Sequence, residues 1–403
     1  METVNQILRY ITNSFEVIIL IYFAVSSLYV LLFALAGHGY KRRKVLTHQN
    51  INSMAVFIPA YKEDAVIISV AKTALKQHYP SANFDVIVIA DSLQAETLTD
   101  LRKLPIKLVE VDFENSTKAK ALNAAINSLS ENYDYAIILD ADNIMEAEFL
   151  NKMNNAFNHG FQVVQAHRKA KNLNTSFAIL DAASEEINNH IFRKGHSALG
   201  LSSGLIGSGM GFEYRLFKSI MKTVTAVGGF DKELEFELAK NNITIEYLQD
   251  TVVLDEKIQR SSDFSNQRRR WLATQFIYFK RNYKLGFKAL FNGNMNFFDK
   301  VFQMMVPPRI LLLGVTTIIT LIYIIIDFGF EVNTFISSYY WIITYTLLIA
   351  TFVLALPKSF YNANTLKAMA SMPSAFFRMF RLLFNLKGAN SKFIHTSHGV
   401  TKN

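Results

Sequence analysis

The chain has 403 residues, half of them hydrophobic and only 19% charged, which as a length prior amounts to about two to three domain-sized units with ample material for a core. That apolar load, with a mean hydropathy of +0.16, excludes a disordered or collagen-like chain, and the lack of cysteine excludes disulfides, thiolate metal sites and cysteine nucleophiles. The net charge of +9 and a pI near 9.3 suit nucleic acid, an anionic membrane surface or an anionic ligand equally, so the location of the charge has to decide.

Val17 to Ala36 carries no charge and, at about 1.5 Å per residue, reaches across about 30 Å of hydrocarbon. The competing reading is a cleavable signal peptide, for which Ala34-Leu35-Ala36 resembles a cleavage site. The run is too long for an apolar signal region of about 7–15 residues, and Arg9 is offset by Glu2 and Glu16. Lys41-Arg42-Arg43-Lys44 follows at once, as a stop-transfer, positive-inside flank does. Residues 1–40 are therefore expected to be a transmembrane anchor with an outward N-terminus, and residues 41 to about 309 to face the cytoplasm.

From residue 52 to about 280 the chain is soluble in character. Met54–Pro59, Val86–Ala90, Ile106–Val111 and Tyr135–Leu139 are strand-like apolar runs. Between them, Asp64–Gln77 and the Leu122, Ala125, Ile126, Leu129 series have helical periodicity, with Ser116 or Thr117 available as a cap. Alternating strands and helices imply a mostly parallel sheet covered on both faces, whose ligands bind at the carboxyl ends of the strands.

Those strand ends carry the chemistry-bearing residues. Val56-Phe57-Ile58 runs into Pro59-Ala60-Tyr61-Lys62-Glu63, where Tyr61 can stack on a base and Glu63 can accept from a ribose or base. Ile87-Val88-Ile89-Ala90 ends in Asp91. Ile137-Ile138-Leu139 ends in Asp140-Ala141-Asp142. Carboxylates at i and i+2 leaving a strand can face one point, and hard oxygen ligands suit Mg²⁺ or Mn²⁺ shared with substrate phosphates. A chance Asp-x-Asp in a surface turn is the alternative. Lys118 sits at a helix start, where its charge and the helix dipole both attract phosphate. Gly204, Gly207, Ser208 and Gly209 form a loop that lets backbone approach a ligand, or a simple turn.

Further along, Gly228-Gly229-Phe230-Asp231 leaves two roles open for Asp231, general base or helix N-cap. In Gln267-Arg268-Arg269-Arg270-Trp271, positions 267, 270 and 271 share one helical face. Arg270 offers a fork of donors for a diphosphate and Trp271 a stacking surface for a sugar ring. Arg268 and Arg269 read as a basic face for anionic lipid. Met295–Val306 has Asp299 and Lys300 on one side and reads either as an interfacial helix or as one packed on the soluble domain. Ile310–Ile326 and Val332–Leu356 are two further uncharged runs, separated by Asp327, Gly329 and Glu331, and read as a transmembrane hairpin. Beyond it, Phe376, Phe377, Phe380, Leu383 and Phe384 recur at helical spacing with Arg378, Arg381 and Lys387 between them, a pattern for a headgroup-level helix.

The ordered set Pro59-Ala60-Tyr61-Lys62-Glu63, Asp91, Lys118-Ala119-Lys120-Ala121-Leu122-Asn123, Asp140-Ala141-Asp142, Asp231-x-Glu233-Leu234 and Gln267-Arg268-Arg269-Arg270-Trp271 resembles the membrane-integrated family 2 glycosyltransferases, such as cellulose, chitin and hyaluronan synthases. The resemblance spans most of residues 55–271. It implies an α/β fold of the GT-A (Rossmann-like) type, with transmembrane and interfacial helices around it. It also implies an inverting transfer from a nucleoside-diphosphate sugar, favouring UDP, with Mg²⁺ or Mn²⁺. By this analogy Tyr61, Glu63, Asp91, Lys118 and Asp140 hold the nucleotide, and Asp140 and Asp142 the metal. Asp231 is the general base, Gln267 and Arg270 meet the diphosphate and Trp271 the acceptor.

Two departures stand out. Phe230 occupies the place where an acid usually precedes the base, so Glu233 or Glu235 takes that role under a shifted alignment. Three membrane spans are also few for a secretion channel, which calls for association of subunits or a product that this chain does not export. Phe393-Ile394-His395-Thr396-Ser397-His398 resembles the family's gating loop, with His398 at a position that is usually basic. The expected organisation is an anchor at 1–40, a cytosolic catalytic domain at 41–290, an interfacial helix at 291–309, a transmembrane hairpin at 310–356 and a cytosolic tail at 357–403. A growing polysaccharide is the first expected acceptor. A membrane lipid receiving a single sugar is the second, and a non-catalytic membrane scaffold the third. Much of the basic excess flanks membrane spans, which argues against nucleic acid as a partner.

Overall fold

The computed structural model describes residues 2–42, 44–46, 50–130, 132–257, 261–330, 334–386 and 388. Its centre is an eight-stranded sheet: β1 (Met54–Tyr61), β2 (Phe84–Asp91), β3 (Lys107–Val111), β4 (Tyr135–Ile138), β5 (Ile144–Met145), β6 (Val163–Ala170), β7 (Met210–Glu213) and β8 (Ile245–Asp255), in the order β3-β2-β1-β4-β7-β6-β8-β5. The four strands that the apolar runs predict form the parallel half, with β1 between β2 and β4 and β3 outside β2. The other half is mixed. β7 runs antiparallel to both β4 and β6, β6 is parallel to β8, and β5 is antiparallel to β8. The mostly parallel sheet expected from the sequence therefore stops at β4. β7 is too short, and with Gly211 at its centre too weakly patterned, to announce a strand that reverses direction.

β1 shows why the sheet must be covered on both faces. Val56 and Ile58 enter one core with Ile67 and Leu139, whereas Ala55 and Phe57 enter the opposite core with Leu122 and Phe217. All of these side chains are buried, and each large one contributes about 1.5–3 kcal/mol of transfer free energy. The first helix of the domain is Ile67–Ala74, shorter than the 64–77 expected. Asp64 accepts from the Gln94 amide at 2.8 Å, and Gln77 is drawn inward, donating to the Glu146 carbonyl at 2.8 Å and accepting from the Leu150 amide at 3.1 Å. The helix Lys118–Ser128 is capped by Thr117, whose hydroxyl accepts from the Lys120 amide at 3.2 Å.

Among the described residues three helices are long and apolar enough to cross a membrane: Val4–His38, Arg309–Gly329 and Ser338–Ala355. The first is continuous from Glu2 and so starts well before the uncharged core at Val17. Its far end lies on the catalytic domain. A Cβ on Gly195 would stand 2.2 Å from the Phe33 carbonyl oxygen, and the Phe33 and His196 rings stack at 3.6 Å. In the connection between the other two spans, Asp327 accepts from the Thr334 hydroxyl and the Ser338 amide, each at 2.7 Å.

The helix Met295–Met305 does not turn Asp299 and Lys300 to solvent. Lys300 is buried, paired with Glu235 at 2.8 Å and donating to the Ser202 carbonyl at 2.7 Å. Asp299 accepts from Tyr29 at 2.5 Å and Gln303 at 2.7 Å. The polar side of this helix is the surface by which it packs on its neighbours, because each charged group meets an opposite charge or donor there. The helix Met372–Leu382 buries Phe376 and Met379 against Leu272 and Leu311 and exposes Phe377 and Phe380 beside Arg378 and Arg381. Phe393–His398, the expected gating loop, lies outside the described residues.

Candidate active site

The carboxyl ends of β1 and β2 form the floor of the site. Tyr61 and Asp91 are register partners across the parallel ladder, and the Lys62 amide donates to the Asp91 carbonyl at 3.1 Å. The chain turns sharply after each strand, with both Lys62 and Ser92 at φ 56, a left-handed backbone that is costly for residues with a Cβ and concentrates at functional sites. Asp91 is buried and accepts from the Ser92 hydroxyl at 3.0 Å and the Ser116 hydroxyl at 3.1 Å. Burial nevertheless raises its pKa, with the two serine hydrogen bonds opposing. Of the two residues expected to cap the next helix, Thr117 does so and Ser116 holds Asp91 instead.

Lys118, at the first position of that helix, reaches across to the Asp140 carboxylate and donates to the Gly207 carbonyl at 2.6 Å. Asp140 and Asp142 follow β4 and are held from behind. The Asp140 amide donates to the Ser208 hydroxyl at 2.9 Å, and that hydroxyl donates to Asn143 Oδ1 at 2.5 Å. Asn143 Nδ2 then donates to Asp142 at 3.0 Å and to Asp255 at 3.1 Å. Asp255 ends β8 within a buried charge cluster, in which Lys257 lies 2.7 Å from Asp255 and Arg168 lies 2.6 Å from Glu185. Burial pushes both carboxyls up, but Arg168 and Lys257 outweigh it and hold them below the ordinary carboxylate range. Sequence reasoning named Ser208 only as part of the glycine-rich loop and did not identify Asn143 or Asp255. A signal was available in the way β8, like β2 and β4, runs from apolar residues into an acid.

Asp231 lies in the first turn of the helix Phe230–Lys240, whose N-cap is Gly229 at φ 75. The N-cap reading of Asp231 is thereby replaced. Gly229 is required twice, because the backbone is left-handed and a Cβ there would stand 2.4 Å from Thr274 Cγ2. This close approach fixes the Asp231 turn against the helix Ser261–Phe291. Burial raises the Asp231 pKa, Lys232 opposes and Glu235 adds to it, and the Lys118 ammonium stands 5.9 Å from the Phe230 ring.

The two alternative acids are occupied. Glu233 accepts from the Thr225 and Ala226 amides at 3.0 and 2.8 Å and from Arg281 at 3.1 Å. Glu235 is paired with Lys232 at 2.6 Å and Lys300 at 2.8 Å. Against burial, these two lysines pull the Glu235 pKa down to about 2. Both carboxylates secure the loop and helix that carry Asp231.

Gln267, Arg270 and Trp271 face the same space from the helix Ser261–Phe291. Among the described residues the buried Gln267 Oε1 has no hydrogen-bond partner, an acceptor left open beside a ligand-sized space. Burial lowers the Arg270 pKa. Trp271 is 45% exposed and carries the Arg268 guanidinium over its ring at 4.2 Å. Arg268 is not on a lipid-facing surface as expected; it is buried and paired with Asp181. Arg269 donates to the Asn385 carbonyl at 2.6 Å and so ties this helix to the chain following Met372–Leu382.

All the expected site residues line one cavity of about 1670 Å³, which runs on from the strand ends between the helices Arg309–Ile324, Ser338–Ala355 and Ala363–Met369. Among the described residues no three His, Asp or Glu side chains gather as a metal cage. The fit for a divalent ion therefore rests on Asp140 and Asp142, a pair of hard oxygen donors with the cavity in front of them. That set suits an ion that completes its shell with phosphate oxygens.

No curated protein matches the chain in sequence. Among solved structures, the mannosyltransferase PcManGT from Pyrobaculum calidifontis, in complex with GDP-Man and Mn²⁺, superposes with a TM-score of 0.56 at 14% identity, covering 91% of this chain and 98% of that one. Glucosyl-3-phosphoglycerate synthase from Mycobacterium tuberculosis, with Mn²⁺, UDP and glucosyl-3-phosphoglycerate, gives 0.40 at 15% identity over 58% of this chain and 86% of that one. TarS 1-349 of S. aureus gives 0.39 at 14% identity over 84% of this chain and 90% of that one. The first of these shares the Rossmann-like GT-A fold. Residues 52–274 match the family described as Glycosyltransferase like family 2, a span that contains the sheet, the paired aspartates and the Gln267–Trp271 motif, and the chain therefore belongs to the family 2 glycosyltransferases.

Proposed function

We propose that the chain is an inverting, membrane-integrated glycosyltransferase that moves a sugar from a nucleoside-diphosphate donor, UDP by the resemblance, to a hydroxyl of an acceptor held at the bilayer. The observation that supports this most is the single cavity, which has nucleotide-type groups at the strand ends, a carboxylate with a raised pKa beside them and membrane-type helices at its far side. Tyr61, Glu63 and Asp91 hold the nucleoside. Lys118 and Arg270 meet the diphosphate, with Gln267 supplying its unpaired Oε1 to a ligand donor. Asp140 and Asp142 hold Mg²⁺ or Mn²⁺, which when bound neutralises charge on the departing diphosphate.

The acceptor hydroxyl attacks the anomeric carbon from the face opposite the diphosphate. The carbon–oxygen bond to the diphosphate breaks, Asp231 takes the hydroxyl proton, and the anomeric configuration inverts. Lys118 and Arg270 stabilise the charge that develops on the leaving group. Trp271 shapes the acceptor end. In this reading residues 41–290 work on the cytoplasmic side of the cell or inner membrane, where nucleotide sugars are made, and the helices around residues 1–40 and 310–356 hold them there. Association into a homo-oligomer supplies the further spans that an exporting channel needs.

The resemblance carries a processively growing polysaccharide as the acceptor. A specific observation favours the second reading, a membrane lipid: in the far arm of the cavity Leu313, Ile349, Val353, Leu366 and Met369 stand beside Phe352, Phe360 and Tyr361, a largely apolar lining that suits a hydrocarbon chain. The test is a screen of UDP- and GDP-sugars with Mg²⁺ or Mn²⁺ on membranes that contain the protein, with mass analysis of the product. A glycolipid carrying one sugar supports the lipid reading, and a sugar ladder supports the polysaccharide. If Asp140→Asn and Asp231→Asn both left donor turnover unchanged, the assigned catalytic centre would be wrong and the non-catalytic scaffold would stand.

A further inference from the structure

Between the diphosphate end of the cavity and its aliphatic arm lies a set of cations with an unusual pattern of partners. Arg309, the first residue of its helix, reaches back to Asn188 and to the Ser184 hydroxyl at 2.8 Å. Among the described residues its partners are both neutral. Arg193 is also buried and bonded to neutral acceptors, the Gly204 carbonyl at 3.1 Å and Asn189 Oδ1 at 2.9 Å. The charged groups facing Arg309 are Arg268, Arg193, Glu185 and Asp181. The two acids are already committed, Asp181 to Arg268 and Glu185 to Arg168 and Lys257. Among the described residues, Arg309 and Arg193 are thus not paired with a carboxylate in a partly desolvated site, which is unfavourable until an anion arrives. A planar guanidinium is the side chain best suited to grip a phosphate.

The space next to Arg309 is of the opposite character. Ile310, Leu313, Ile349 and Phe352, on two helices long and apolar enough to cross a membrane, line it together with Leu366 and Met369 of the helix Ala363–Met369. Tyr361 is nearby, but its hydroxyl is spent on the Val353 carbonyl at 2.6 Å. Leu366 is 71% exposed, so the arm has an apolar rim where a hydrocarbon chain can enter.

The geometry points to an acceptor lipid with a phosphate head group, the phosphate seated on Arg309 with Arg193 behind it, and the hydrocarbon tail in the arm between Leu313, Ile349 and Leu366. This rests on the lipid-acceptor reading above and deepens it. The diphosphate of the donor and the phosphate of the acceptor then occupy separate cations, Lys118 and Arg270 for the first and Arg309 for the second, so both substrates can be bound at once.

Binding can be measured without any donor sugar, on the full chain purified in detergent, by native mass spectrometry. The probes are phosphatidic acid, diacylglycerol with the same acyl chains, inorganic phosphate and UDP. Phosphatidic acid is expected to bind at least about tenfold more tightly than diacylglycerol or inorganic phosphate. Arg309→Gln is expected to remove most of that preference, as loss of a charge-assisted bond does, while leaving UDP binding within about twofold, and Arg309→Lys to restore part of it. Leu366→Asp, on an exposed side chain that folding does not need, is expected to weaken phosphatidic acid binding and leave inorganic phosphate alone. Equal binding of phosphatidic acid and diacylglycerol overturns the inference, and so does inorganic phosphate binding as tightly as the lipid. Loss of UDP binding in folded Arg309→Gln also overturns it, because Arg309 would then belong to the donor site. None of these outcomes depends on sugar transfer, so a failure here is separate from a failure of the donor screen.

Discussion

In its proposed role as the base Asp231 works only as a carboxylate, and its surroundings decide at which pH it becomes one. Burial raises its pKa above the ordinary aspartate value, with Lys232 too weak to cancel the effect. The acid limb of kcat/KM is therefore expected above the pH at which a solvent-exposed aspartate titrates, because the base is lost as pH falls through a raised pKa. A pH–rate profile of the wild type checks this. Asp231→Asn should lower kcat by about 10²–10⁴ and leave donor KM within a few-fold. A drop in donor affinity instead of turnover would assign Asp231 to binding. Single residues such as Asp91, Asp140, Asp142, Gln267 and Trp271 were legible because each ends a strand or shares a helical face. Ser116 was legible only as a candidate cap. Its bond to Asp91 depends on β2 and the helix start lying side by side, which the order of residues does not state. Ser116→Ala removes one of the two hydroxyls on Asp91 and is expected to raise the Kd for UDP, read by calorimetry.

Elements matter here through their ends. Thr117 closes the first turn of the helix that presents Lys118, so Thr117→Ala is expected to lower stability by about 1 kcal/mol and to loosen Lys118 from Asp140, seen together as a lower Tm and a higher donor KM. Gly229 joins the Asp231 helix to the Gln267–Trp271 helix at a distance that no side chain fits. Gly229→Ala places a Cβ at a left-handed position and against Thr274, and is expected to cost more than about 1 kcal/mol. Adding Thr274→Ala should recover part of the loss in a denaturant melt, and no recovery would show that backbone strain alone is responsible. Apolar runs foretold β1 to β4, because strands buried on both faces need uninterrupted hydrophobic residues. β5 to β8 were not foretold: β5 and β7 have only two and four residues and carry too little pattern, and the long β6 and β8 interrupt their apolar residues with polar and charged ones such as Gln165, His167, Glu246 and Asp250. The helix Met295–Met305 shows a related effect. Its charges look like a solvent face in sequence, and only the arrival of Glu235 and Tyr29 from other elements turns that face inward.

At the scale of the molecule, the buried Glu235–Lys300 pair ties the helix Met295–Met305 to the helix that carries Asp231. Glu235 is anchored by Lys232 and Lys300, and these pairs outweigh burial to hold its pKa at about 2 against an ordinary glutamate value of 4.5. A depressed pKa in the folded state means that the contribution is complete above the unfolded value and fades as pH falls from about 4.5 toward 2. Thermal melts across that window should show the loss, and Glu235→Gln should flatten the slope. An unchanged slope would locate acid sensitivity elsewhere, in the Glu185–Asp255 cluster first. The sequence by itself determined the donor half of this protein: family, sheet core, paired aspartates and three apolar helices, because these depend on local patterns of period two, period 3.6 and uninterrupted length. Tertiary structure alone brought together the residues proposed for the acceptor half. Arg309 is an unremarkable residue after two prolines until folding sets it beside Arg193 and Arg268 with Asp181 and Glu185 already paired. Electrostatic balance is a property of what surrounds a charge in space, and no spacing along the chain records it.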